Sequence, residues 1–167
     1  MNFIEELKNA RTNNLKYKLF KNVYPSENDF NFFIDFVKNH NYGKYRAQAE
    51  GVHIRESLFI DSMQDIKNSQ NFLESIKESY GNDYHSQTSF TLLVSEKEMG
   101  TYEGLTGVTL HSDPQDNIHW NNVGKSLWVI DNQDTFTMDA GDILYIRSGT
   151  VHEVKTIKPR AAIIFSI

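Results

Sequence analysis

His111 and Asp113 stand two residues apart in a β-favouring run, and His152 opens a second such run later in the chain. Two neutral imidazole nitrogens and one carboxylate oxygen form a donor set for a divalent ion such as Fe(II), with coordination positions left open for a co-substrate and O2. Such a centre supports oxidation chemistry. It works only if the fold gathers three side chains that are far apart in sequence.

The local patterns suggest how that happens. In Gly107-Val108-Thr109-Leu110-His111-Ser112-Asp113, period-two geometry places Thr109, His111 and Asp113 on one face and Val108 and Leu110 on the other. In Gly141 to His152, a turn glycine precedes the apolar strand Ile143 to Ile146, and a Ser148-Gly149 turn then returns the chain at His152. Alone, the His-x-Asp pair also reads as a simple hydrogen-bonded pair at a strand end; the second run favours a metal site.

Short β-favouring runs fill the second half: Phe90 to Val94, Leu105 to Leu110, Ile118 to Trp120, Leu127 to Ile130, Thr135 to Thr137, Ile143 to Ile146 and Ala161 to Ile167. Gly, Asp, Asn and Pro punctuate them, as in a compact antiparallel barrel or jelly roll. The first half reads mainly helical. Asn2 caps a helix with Glu5 at the reciprocal position, Phe30, Phe33, Ile34 and Val37 follow a helical period after Pro25 to Asp29, and a third helix runs from Ser62 to Gly81. Val52 and Ile54 suggest an early strand. The expectation is one mostly β domain over 1–167, with 1–88 as helical support packed outside the barrel and 89–167 as the barrel core with the metal site.

Composition narrows the function classes. A chain of 167 residues can bury roughly two thirds of its unfolded surface as a single domain. Without cysteine there are no disulfides, zinc-thiolate sites, Fe–S clusters or cysteine nucleophile. The formal charge of -5 argues against a surface dominated by nucleic-acid contacts. No apolar run reaches the ~18 residues of a membrane span, and the start lacks a basic-then-apolar export signal. A cytoplasmic protein is expected.

The motifs then carry a resemblance. Gly141 through Gly149 to His152 is similar to the second cupin motif, with Arg147 where that motif has proline; His111 and Gly124 match the first, with Asp113 in place of its second histidine and Asn117 at its glutamate position. The His-x-Asp pair with a distant His resembles the JmjC-like branch of the 2-oxoglutarate- and Fe(II)-dependent oxygenases, as does the segment His111 to Trp128. The likeness covers about residues 105 to 165 well. It implies a double-stranded β-helix, Fe(II) on His111, Asp113 and His152, and 2-oxoglutarate as co-substrate.

The distal carboxylate of that co-substrate needs a cation and polar donors. Lys125 is the first candidate cation, but the family lysine stands two places after the glycine, where this chain has Ser126. On a regular strand a one-residue shift sends a side chain to the other face. Arg160 is the alternative cation, and Thr109 and Asn117 supply polar contacts. His119, Tyr102, Tyr145 and Arg147 are candidates for the substrate pocket, each with an ordinary packing or solvent role as its alternative, while Trp120 and Trp128 read as packing between sheet and helices.

The resemblance implies hydroxylation of a protein side chain or a small molecule. Two other readings stay open: a metal-dependent cupin without 2-oxoglutarate (a dioxygenase or isomerase), and a non-catalytic cupin binding protein. The edge strands leave room for a homo-oligomer.

Overall fold

A computed structural model describes residues 2–39, 45–48, 51–55, 69–80, 87–93 and 106–167 of the chain. Among them are helices α1 (Phe3–Thr12), α2 (Phe30–Asn39) and α3 (Ser69–Tyr80). The strands are β1 (Tyr17–Phe20), β2 (Tyr45–Gln48), β3 (Gly51–Arg55), β4 (Gln87–Leu93), β5 (Thr106–His111), β6 (Asn117–Ile130), β7 (Asp134–Met138), β8 (Ile143–Ile146) and β9 (His152–Ser166). They form one antiparallel sheet in the order β1-β8-β6-β9-β4-β3-β2, with β5 added on β9 and β7 on β6.

Helix starts follow local chemistry. The Asn2 side chain accepts the Ile4 N–H at 3.3 Å and the Asp29 carboxylate accepts that of Phe32 at 2.8 Å, each satisfying an amide that the first helical turn leaves without a partner. On α3, Phe72, Ile76 and Tyr80 form the buried stripe. The neighbouring Ser75 and Ser79 are also buried, and each hydroxyl bonds the carbonyl four residues back at 2.8 Å. The expected start of this helix at Ser62 and its stop at Gly81 lie outside the described residues.

Two differences from the sequence reading matter. Tyr17 to Phe20, in the stretch read as helical, is a strand, because Tyr17 pairs with Ile146 and Phe20 with Ile143 across the sheet. The first half therefore supplies strands β1, β2 and β3 as well as helices. Secondly, the runs Ile118 to Trp120 and Leu127 to Ile130 belong to one long strand, β6. Its N-terminal part pairs with β8 and the end of β9, and its C-terminal part with β7 and the start of β9. A strand shared in this way must bend between its two sets of partners. The bend falls where the register slips between Asn121 and Ser126, around Gly124 at φ +83°.

The sheet separates two cores. One face carries Ile118, Trp120, Ile143, Tyr145, Ala161, Ile163 and Phe165, packed against Phe3 and Leu7 of α1, Phe33 of α2, and Phe72 and Ile76 of α3. Full burial of a side chain such as Phe72 contributes about 1.5–3 kcal/mol. Tyr24 links the layers: its ring lies edge-on to Phe3 and Phe72, and its carbonyl accepts the Trp120 indole N–H at 2.9 Å. The other face, called inner below, carries Trp128, Ile130, Leu144, Ile146 and Val154 with Met138 of β7. Strict alternation along β8 divides its four residues between the two cores. The helices cover one face of a mostly β, antiparallel fold.

Candidate metal centre

His111 ends β5, His152 begins β9, and the two are cross-strand partners with ring centroids 4.3 Å apart. Asp113 lies beyond the end of β5, so its place beside His111 does not come from strand alternation. A register slip between Val108 and His111 interrupts that alternation as well. A loop delivers the carboxylate instead. The Asp113 carbonyl accepts the Gly149 N–H at 2.8 Å, from a turn in which Gly149 takes φ +76°, a conformation a side chain would disfavour.

In the result, Asp113 Oδ2 stands 3.6 Å from His111 Nε2 and 3.5 Å from His152 Nε2. One ligand atom from each of the three residues lies within 4.8 Å of the others. An octahedral ion with bonds of about 2.1 Å holds neighbouring ligand atoms about 3 Å apart, so a modest inward movement closes this set on a metal.

The protonation chemistry also fits. His152 Nδ1 lies 3.0 Å from the Thr150 carbonyl, which can only accept. Nδ1 therefore carries the proton and Nε2 keeps its lone pair toward Asp113. Burial holds the His152 pKa below its ordinary value, with the nearby His111 adding to the effect, against opposing contributions from the Thr150 carbonyl and Asp113. A neutral ring is the ligating form.

The bend in β6 decides what surrounds the three residues. Trp120 lies on the helix-facing side, as expected, but Trp128 does not. The slipped register reverses its parity and puts it on the inner face, stacked at 6.0 Å and 30° against His152 and 4.7 Å from His119. The His119 ring is itself 6.3 Å from His152. Ser126 is buried and accepts the Trp128 indole N–H at 3.0 Å, whereas Lys125 is bound by Asp139 at 3.0 Å. Lys125 is thus committed to the β7–β8 turn.

Arg160, on β9, is 2% exposed, with its guanidinium carbon 5.9 Å from the Trp128 ring centre. Among the described residues its Nε has no hydrogen-bond partner and no carboxylate pairs with it. Burial pushes its pKa down to about 10, so it remains a cation at neutral pH. A buried charge is costly unless it is paired, and an anionic ligand would offset that cost.

The remaining candidates fall elsewhere. Tyr145 is on the helix-facing side and donates to Asp116 Oδ2 at 3.0 Å. Arg147 is exposed and donates to the Asn14 carbonyl at 3.3 Å. Asn117 is buried and donates to Asp113. Tyr102 lies outside the described residues, as does the side chain of Thr109, although its backbone is part of β5. Sequence reasoning did not single out Thr150, which fixes the His152 tautomer, because it acts through a backbone carbonyl that leaves no residue-type signal. Nor did it place Trp128 beside the histidines.

No protein-family model matches the sequence, and no curated protein matches it. Among solved structures, the chain is similar to SnoN, a non-heme α-ketoglutarate-dependent epimerase from nogalamycin biosynthesis, with 12% identity and a TM-score of 0.60 over 98% of this chain and 82% of that one. It also matches a cupin superfamily protein from Desulfitobacterium hafniense (11% identity, TM-score 0.41, 49% of this chain and 66% of that one). A third match is the ribosomal oxygenase YcfD from Escherichia coli (16% identity, TM-score 0.47, 74% and 33%). The chain spans just under two thirds of the Desulfitobacterium protein and a third of YcfD. At these identities the likeness concerns the fold. The chain shares the fold of SnoN along nearly all of its length, and two histidines and one aspartate are grouped in it so that they can hold a divalent metal.

Proposed function

We propose that this protein is a non-haem Fe(II)- and 2-oxoglutarate-dependent oxygenase, with His111, Asp113 and His152 as the metal ligands and a protein side chain or small molecule as substrate. The observation that carries the reading is the convergence of two histidine Nε2 atoms on one Asp113 oxygen. When bound, iron and 2-oxoglutarate would supply the oxidising chemistry. The chain's own residues do the rest. Thr150 holds the His152 proton on Nδ1, Trp128 packs against the ligand ring, and Arg160 offers a buried positive charge to the distal carboxylate of the co-substrate. The use of α-ketoglutarate by SnoN, which shares the fold along nearly all of this chain, supports the choice of co-substrate. We further read residues 1–167 as a single domain whose bent sheet closes as a double-stranded β-helix.

One observation favours a second reading, a metal-dependent cupin that does not use 2-oxoglutarate: the lysine nearest the family position is bound to Asp139. A single titration separates the two. Metal-free protein is loaded anaerobically with Fe(II), and 2-oxoglutarate is added while the visible charge-transfer band of the chelate is followed. The expected result is a band in the wild type and none in Arg160→Met, with Fe(II) still bound by both. Bound iron without a band in the wild type sinks the 2-oxoglutarate reading.

A further inference from the structure

Asn117, the first residue of β6, is 4% exposed and its side-chain amide is held at both ends. Nδ2 donates to Asp113 Oδ2 at 2.5 Å, and Oδ1 accepts from Ser166 Oγ at 2.7 Å. An ionised carboxylate only accepts, so the NH2 end must face Asp113, and the Ser166 hydroxyl then satisfies the oxygen end. The Asp113 oxygen bonded by Asn117 is the same one that faces both histidines.

That oxygen belongs to a residue with no strand ladder of its own. The loop from Ser112 to Asp116 is anchored instead to the end of β9. Asp116 and Ile167 exchange two backbone hydrogen bonds of 3.2 and 2.9 Å, and Asn117 pairs in register with Ser166. The Asp116 carboxylate accepts the Ser148 N–H at 2.9 Å and the Tyr145 hydroxyl at 3.0 Å, fixing the loop from its other side. These bonds place the loop backbone, and among the described residues the bond from Asn117 orients the carboxylate. A ligand already oriented loses less conformational freedom when a metal binds, and hydrogen-bond partners of ligating carboxylates act on affinity in this way.

We propose that Asn117 is a positioning residue for the metal ligand Asp113, and that Ser166, at the end of β9, fixes the direction of the Asn117 amide. The inference rests on the metal reading above. It gives Asn117 a different task from the co-substrate contact that the sequence resemblance implied.

The test uses Co(II) as the probe, titrated into metal-free wild type, Asn117→Ala, Ser166→Ala and His111→Ala and followed by its visible d–d absorption, with thermal unfolding measured alongside. Asn117→Ala is expected to weaken Co(II) binding about 10–100-fold and to alter the absorption spectrum, and Ser166→Ala to weaken it less, in the same direction. A purely structural role would lower the unfolding temperature but leave the spectrum of the bound metal unchanged. Folded Asn117→Ala with wild-type affinity and spectrum overturns the inference. Should that variant fail to fold, Ser166→Ala decides, and wild-type binding there overturns it equally. Wild type that binds no Co(II), or binds it no better than His111→Ala, overturns the metal reading itself, and this inference with it.

Discussion

The two faces of the sheet are built from the same strands and solve opposite problems. The helix-facing side is a continuous apolar layer in which aromatic rings such as Phe72, Trp120 and Phe165 meet at centroid distances of 4.9 Å. Its buried polar groups include the Trp120 indole N–H, the Ser75 and Ser79 hydroxyls and the Tyr145 hydroxyl, each with a partner. The inner side mixes Ile130, Leu144 and Ile146 with buried Asn117, His119, His152, Ser126 and Arg160. Polar groups in a dry interior weaken a fold unless they are paired, so the inner face carries a cost that its own apolar residues and the helix-facing core offset. Stability and chemistry are therefore separable in this molecule.

That separation can be broken by experiment. The largest effect is expected from Asp113→Ala or His111→Ala, which should abolish metal binding, measured as bound Fe(II) after anaerobic loading and desalting. Both side chains are about a third exposed, so His111→Ala should hardly change the unfolding temperature, while Asp113→Ala, which leaves the buried Asn117 amide without this acceptor, should lower it. Retained metal would end the assignment of the ligand set.

Next in size is Phe72→Ala, on the opposite face. Loss of a fully buried phenylalanine should lower the unfolding free energy by about 3–5 kcal/mol in a denaturant titration, leaving metal affinity intact wherever the protein is folded. If Phe72→Ala disturbed the metal site as strongly as the fold, the two faces would have to be treated as one unit.

The smallest expected effect is a pH dependence that sharpens the comparison. His152 has its pKa lowered by burial, so between its ordinary value near 6.5 and its lower native value the unfolded chain takes up a proton that the native protein refuses. Stability of the metal-free protein should thus fall as pH drops through that window and level off below it. The slope should be reduced in His152→Gln and unaffected by Phe72→Ala. Thermal unfolding from pH 7.5 to 5 measures it, and an identical slope in wild type and His152→Gln would count against a neutral buried His152.

Much of this was legible in residue order. Ile143 to Ile146 is strand β8 as its apolar run suggests, and Asn2 caps α1 as its type and place suggest. The pairing of His111, Asp113 and His152 follows from donor chemistry and from turn glycines that bring separated strands together. Tyr17 to Phe20 was not legible as a strand, since its pairing depends on Ile143 to Ile146, far along the chain. A four-residue segment carries too little periodicity to reveal that partner.

By itself, then, the sequence determined which atoms could bind a metal, because donor type and turn chemistry are local properties. Only the tertiary structure decided how those atoms are presented. Asp113 reaches the histidines on a loop tied to the end of β9, and the bend at Gly124 turns Trp128 inward beside His152 while Lys125 goes to Asp139. The physical reason is that alternation predicts a side chain's direction only while the strand is regular. One slipped register reverses every residue beyond it, and where the slip falls is set by partners distant in the chain.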